Sequence, residues 1–109
     1  MKTLRIANVY VRDHFSGQLS ETDSGYRFVY DSDYLKLSGA KAVSLTLPLT
    51  EEPYESPVLF SFFDGLIPEG WLLQAVTRNW KIEATDRFGV LLVACNDCIG
   101  AVRIEEAVQ

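Results

Sequence analysis

Ser56-Pro57-Val58-Leu59-Phe60-Ser61-Phe62-Phe63-Asp64-Gly65-Leu66-Ile67-Pro68-Glu69-Gly70-Trp71 is the stretch from which the rest of the chain can be laid out. Three Phe, one Trp and four aliphatic residues are punctuated by two Pro and two Gly, so an apolar element must start, stop and restart at defined positions. Ser56 offers an oxygen to the free N–H groups of a first turn and Pro57 has the φ such a turn needs, which predicts a helix starting here. Gly65 ends it. Pro68 then opens a second helix, with Glu69 beside its positive end. Phe60, Phe62, Phe63 and Leu66 read as hydrophobic core. Trp71 stands in the first turn after the Pro68-Glu69-Gly70 corner and fits either core or partner contact, Trp being enriched at interface hot spots.

A chain of 109 residues makes one small domain, 1–109, far below the size of a kinase or a two-domain enzyme. Ten Lys and Arg against fifteen Asp and Glu give a net charge of −5, which argues against a phosphate backbone or an anionic membrane as principal partner and favours a basic one. Apolar runs are too short to span a bilayer, and Met1-Lys2-Thr3-Leu4-Arg5-Ile6 lacks the apolar core of a signal peptide, so a cytoplasmic location is expected. The two cysteines form a lone Cys95-x-x-Cys98. Phe88, Leu91, Leu92 and Cys95 share helical spacing, so the pair falls at a helix C-terminus, where the dipole disfavours a thiolate. With His14 as the only histidine, a zinc site is short of ligands, and the thiols read as buried or incidental.

Ala7, Val9 and Val11 line one face of a first strand, Arg12-Asp13-His14 turns, and Ser16 to Ser20 returns, with Gly17 marking a bulge or a close backbone approach. Asp23-Ser24-Gly25 is a second turn. Tyr26, Phe28 and Tyr30 alternate with Arg27, Val29 and Asp31, a third strand with one aromatic face. Ser32 and Asp33 can cap a short helical turn that Gly39 breaks. Val43, Leu45, Leu47 and Leu49 alternate with Ser44, Thr46 and Pro48, predicting a half-buried strand over 42–49 at a sheet edge. Thr50 to Glu55 reads as an exposed loop. The helix opened by Pro68 carries Leu72, Ala75, Val76 and Trp80 on one side. Thr85 is the expected N-cap of the next helix, weakened by Gly89 unless a neighbour approaches closely there. Ile99 to Ile104 is a last strand that closes the sheet. The order predicts an α+β fold, a small curved or barrel-like antiparallel sheet packed with a cluster of short helices.

Phosphoryl-transfer chemistry is not assembled. The chain has no Gly-rich phosphate loop, Walker pattern, Gly-x-Ser-x-Gly, His-Glu-x-x-His or EF-hand loop. Asp64 and Glu69 sit close in sequence, but as residues following one helix and opening another they read as structural rather than as an acid/base pair. His14 reads as a surface residue. Arg78, Lys81 and Arg87 are the only local basic cluster, too little for a nucleic-acid surface.

Phe62-Phe63-Asp64-Gly65-Leu66-Ile67-Pro68-Glu69-Gly70-Trp71 resembles the signature of the N-terminal subdomain of HipA-type Ser/Thr kinases, the toxins of bacterial toxin–antitoxin systems. Ser44-Leu45-Thr46-Leu47-Pro48-Leu49 is similar to the family's SLSLPL segment, and Ile99-Gly100-Ala101-Val102 to its GAV strand. The resemblance runs from about Ala7 to Ile104 with the motifs in the family's order. It implies a subdomain that packs on a kinase core, in complexes where a helix–turn–helix (HTH) DNA-binding antitoxin commonly joins the full-length kinase. In the split HipBST relatives the corresponding subdomain is a separate protein, HipS, the antitoxin of the shortened kinase HipT. The resemblance therefore implies a non-catalytic, HipS-like antitoxin that binds and neutralises a HipA/HipT-type kinase, without a cofactor and without direct contact to nucleic acid or membrane. Trp71 is the expected anchor, with Phe63, Asp64, Pro68, Glu69 and Gly70 shaping its corner. The alternative is an assembly role, bridging kinase and DNA-binding antitoxin without inhibition; a thiol oxidoreductase using Cys95 and Cys98 is a third reading. A chain running from Met1 to just past Ile104 fits a free-standing subdomain and a segment of a longer kinase alike.

Overall fold

The computed structural model describes residues 3–67, 86–94 and 102–107. Its centre is an antiparallel meander of β1 (Thr3–Val11), β2 (His14–Thr22) and β3 (Gly25–Tyr30). The chain continues through α1 (Ser32–Leu35), β4 (Tyr54–Ser56), α2 (Ser61–Asp64) and α3 (Arg87–Ala94) to β5 (Val102–Glu106). Strand order is β4-β3-β2-β1-β5. The last strand joins the sheet as expected, but beside β1, so the sheet is open, with β4 and β5 at its edges, rather than closed into a barrel. The α+β class stands.

Both hairpin turns follow from local chemistry. Arg12 and Asp13 take positive φ (50° and 69°), giving a two-residue turn whose twist matches that of the strands, with Val11 opposite His14. Register along β1 and β2 shifts between Val9↔Gly17 and Tyr10↔Phe15, which leaves Ser16 as a bulge. The Ser16 hydroxyl donates to the Val9 carbonyl at 2.9 Å, and the Ser16 carbonyl accepts from Asp31 N–H at 2.8 Å, so the bulge is fully used. Beside it Gly17 is the predicted close approach: a Cβ there would lie 2.4 Å from the Val29 carbonyl oxygen.

One face of the sheet carries the core. Ala7, Val9, Leu19, Phe28 and Ile104 are wholly buried and meet Tyr34 of α1, Phe63 of α2 and Phe88, Val90 and Leu91 of α3. Aromatic rings dominate, with Phe28 edge-on to Tyr30 at 4.9 Å and tilted to Phe63 at 5.4 Å, and Tyr26 stacked on Phe88 at 6.1 Å. His14 is exposed, as expected.

Residues 42–49 are not a strand. Only an isolated bridge joins Ser44 and Leu47, and Leu45, predicted to share a face with Val43 and Leu47, is fully exposed while those two are buried. Ser44 overrides the alternation: its hydroxyl accepts from Thr46 N–H at 3.2 Å and its carbonyl from Leu47 N–H at 3.1 Å, closing a tight turn. The buried Tyr30 hydroxyl fixes that turn to the sheet, donating to the Leu47 carbonyl and accepting from Val43 N–H at 3.0 Å. Burial pushes the Tyr30 pKa up from its ordinary value, which keeps the hydroxyl protonated as this bridge requires.

Three further boundaries differ from expectation. Asp31, not Ser32 or Asp33, caps α1, its carboxylate accepting from Tyr34 N–H at 3.1 Å. Tyr54 and Glu55, expected in a loop, and Ser56, expected to cap a helix, pair with β3 through Tyr26↔Ser56 and Phe28↔Tyr54. Ser56 is thereby held in a strand, its hydroxyl turning back to Val58 N–H at 3.2 Å, so the helix starts at Ser61 instead of Pro57.

Asp86 supplies the capping oxygen of α3, accepting from Gly89 N–H at 3.2 Å; the expected cap Thr85 lies outside the described residues. The Asp86 carboxylate also accepts from Arg5 at 2.7 and 3.1 Å, and the same guanidinium donates to Glu21 at 2.6 and 2.9 Å while lying 5.1 Å over the Phe88 ring. This fork ties α3 to β1 and β2. It also supplies the neighbour that Gly89 needs, since a Cβ there would lie 2.4 Å from Asp86 Oδ2.

The Arg5 hydrogen bonds hold the Asp86 carboxyl below the usual carboxylate range, against the opposing effect of burial, and raise the guanidinium pKa further. A carboxylate with a lowered folded-state pKa stabilises the fold fully above its unfolded value of about 3.9 and loses that contribution as pH falls through the folded value. Asp86→Asn retains a good cap but removes the charge. At neutral pH it is expected to cost about 0.5–1 kcal/mol, because the pair is a third exposed and partly screened. Urea midpoints of wild type and variant then converge below the lowered Asp86 pKa. Asp86→Ala, which also loses the cap, costs about 1 kcal/mol more at neutral pH.

Candidate partner-binding site

The Phe62-to-Trp71 motif enters the structure through α2. Helix formation here is compact: Asp64 and Gly65 donate backbone N–H groups to the Phe60 and Ser61 carbonyls at 2.9 Å, and Gly65 ends the helix as predicted. The turn continues, with Leu66 N–H to Phe63 at 3.1 Å and Ile67 N–H to Asp64 at 3.2 Å. Ile67, 3% exposed, anchors the chain immediately before Pro68.

Phe63 and Asp64, adjacent in sequence, have opposite roles. Phe63 is wholly buried, its ring 5.2 Å from Phe62, 5.4 Å from Phe28 and 6.3 Å from Phe60. It shapes the corner by fixing α2 to the sheet and cannot itself touch a partner. Phe60, Phe62 and Leu66 pack on the same core but remain half-buried, and Val58 is largely exposed. Asp64 is partly exposed and its Oδ1 accepts from Arg87 Nε at 2.8 Å, joining α2 to the first turn of α3. This is the structural use expected for Asp64. Arg87, grouped by sequence with Arg78 and Lys81, is instead its partner from 23 residues away; nothing in local spacing announces such a pair.

Pro68, Glu69, Gly70 and Trp71 lie outside the described residues, as do Leu72, Ala75, Val76, Trp80, Cys95, Cys98 and the Ile99-Gly100-Ala101 segment. The described part therefore supplies the base of the corner: a buried aromatic pivot, an ion pair and a pinned exit at Ile67. Among the described residues no group of His, Cys, Asp and Glu is placed to hold a metal ion, and no helix is long and apolar enough to cross a membrane.

The family model of the HipA N-terminal domain matches residues 7–105, spanning the sheet, the aromatic corner and the returning strand. The chain belongs to the HipA N-terminal domain family. It is 34% identical over 106 residues to an uncharacterized protein of Haemophilus influenzae, covering 97% of this chain and 96% of that protein. Among solved structures it is similar to the N-terminal domain of HipA toxin, with a TM-score of 0.72, 26% identity, and coverage of 97% of this chain and 95% of that one. In this HipA N-terminal domain the described part of the family signature is thus carried by a helix whose Phe63 is core and whose Phe62 and Asp64 remain partly exposed, with Ile67 buried at its exit.

Proposed function

We propose that this HipA-family domain is a non-catalytic subunit that binds a HipA-type Ser/Thr kinase and neutralises it as the antitoxin of a toxin–antitoxin system. The observation that carries the reading is the family match over residues 7–105 in a sequence that assembles no phosphate-cradling loop of its own. The likeness to the N-terminal domain of HipA toxin supports it, and a net charge of −5 suits a basic partner surface. In this mechanism Trp71 is the aromatic anchor, Gly70 permits close approach, and α2 holds the corner rigidly enough to obstruct the closed geometry that phosphoryl transfer needs. In this reading the buried Phe63 and the Asp64–Arg87 pair hold the base of the corner.

The test is co-expression with a HipA-type kinase of the same genome, reading growth, co-purification and kinase rate at saturating complex. Wild type restores growth and co-purifies. Trp71→Ala, verified as folded by circular dichroism, is expected to weaken binding about 30-fold or more, the effect of losing a hot-spot Trp worth about 2 kcal/mol. A complex that forms while growth stays arrested and phosphorylation continues overturns the antitoxin reading in favour of an assembly subunit that bridges kinase and DNA-binding antitoxin. Should Trp71→Ala fail to fold, Trp71→Phe retains bulk and still tests the anchor.

A further inference from the structure

One concave surface has no described lining residue in α2. Where β3 runs into α1, a cleft of about 550 Å³ opens, with Phe15, Val29 and Leu35 as apolar lining and Gln18, Asp31 and Glu51 among its polar groups. The β2–β3 register puts Gln18 opposite Val29, out of step with the buried Leu19–Phe28 pair, so these two belong to the sheet face away from the core. Phe15 is 36% exposed.

Hydrogen-bond accounting makes the polar side of this cleft rich in acceptors. Asp31 spends one carboxylate oxygen on capping α1, leaving the other without a partner among the described residues. Glu51 is exposed, and neither carboxylate enters an ion pair among the described residues. The Gln18 amide nitrogen donates one hydrogen to Asn8 Oδ1 at 3.0 Å, which leaves its second N–H and its amide oxygen to offer. Among the described residues no Lys, Arg or His lines the cleft. Its ligand must therefore bring donors, positive charge and an apolar face. A guanidinium does all three: five N–H donors, no acceptor, and a plane that stacks on an aromatic ring. A lysine ammonium brings charge but neither stacks nor forks, and a neutral apolar group leaves both carboxylates uncompensated.

We propose that this cleft docks an arginine side chain from a basic segment of a protein partner, its guanidinium stacked on Phe15 and shared by Asp31 and Glu51. Charge complementarity sets the partner's chemistry, since the whole chain carries −5 and the charged side chains described in the cleft, Asp31 and Glu51, are both negative.

Three blocked tripeptides, Ac-Ala-Arg-Ala-NH2 and its lysine and norleucine counterparts, titrated into the full ¹⁵N-labelled chain provide the test. The arginine peptide is expected to shift the amides of Gln18, Val29, Asp31, Leu35 and Glu51 with a saturating curve at least 5-fold tighter than lysine, norleucine producing no saturation. The Asp31→Asn/Glu51→Gln double variant, in which Asn still caps α1, loses at least 5-fold in arginine affinity while amide positions elsewhere report an intact fold. Equal arginine and lysine curves with shifts spread over the acidic surface overturn the proposal as unspecific charge attraction. Saturation by norleucine at the same residues overturns it in favour of an apolar ligand, and no shift at all overturns it outright. The titration does not depend on kinase capture, so this proposal and the antitoxin reading fail separately.

Discussion

Phe63→Ala is expected to lower the unfolding free energy by about 3–5 kcal/mol, because it removes a wholly buried ring and leaves a cavity among Phe28, Phe60 and Phe62. Against the roughly 5–15 kcal/mol of a whole domain, that is a large share. The melting temperature falls by on the order of 15–30 °C for a chain of this size. Phe63→Leu keeps most of the apolar volume and costs about 1–2 kcal/mol. Urea denaturation followed by far-ultraviolet circular dichroism measures both. Midpoints within 0.5 kcal/mol of wild type for Phe63→Ala would mean that α2 is not fixed by this ring, and the rigid-corner mechanism would lose its base. On the proposed function the two motif residues are expected to separate: Phe63→Ala reduces kinase capture by unfolding the domain, whereas a folded Trp71→Ala variant reduces it without loss of stability.

Why Phe63 was legible as core and the aim of the corner was not comes down to the range of the interactions. β1, β2 and β3 declare themselves because each is half-buried and bounded by turn residues, so the period of Ala7, Val9, Val11 and of Tyr26, Phe28, Tyr30 is the imprint of one covered face. Residues 42–49 show the same period without the same cause. A strand also needs a neighbour, and Ser44 closes a local turn that the distant Tyr30 hydroxyl then fixes. β4 escapes notice for the opposite reason: three residues at a sheet edge, flanked by Glu51, Glu52 and Pro53, leave little apolar signal even though their backbone is paired. The Asp64–Arg87 and Arg5–Glu21–Asp86 contacts join residues 16 to 81 positions apart, and no local pattern encodes them. Only the Gly residues hint at such approaches. Gly17 and Gly89 were readable as sites where something comes close, though not what does.

Gly25 carries this argument to a measurable consequence. It reads as a turn glycine, yet it serves a second purpose: at φ +146° it also leaves room for β4, since a Cβ would lie 2.3 Å from the Ser56 carbonyl oxygen and 2.8 Å from Pro57 Cα. Gly25→Ala therefore combines backbone strain of about 1–3 kcal/mol with a collision against backbone, worth about 1–3 kcal/mol more. A total loss of about 2–6 kcal/mol is expected. Gly39→Ala is the control: its φ is +80°, but nothing lies within 4 Å, so it reports strain alone. The excess of the first loss over the second isolates the push on β4. Hydrogen exchange locates it: protection falls at the Tyr26↔Ser56 and Phe28↔Tyr54 pairings while the β1–β2 amides keep theirs. Because Ser56 and Pro57 are the chain's approach to α2, a displaced β4 moves that approach, and on the proposed function kinase capture is expected to fall further than the stability loss explains. Equal losses for the two glycines, with β4 protection unchanged, would mean that β4 yields freely and that α2 takes its position from the core alone.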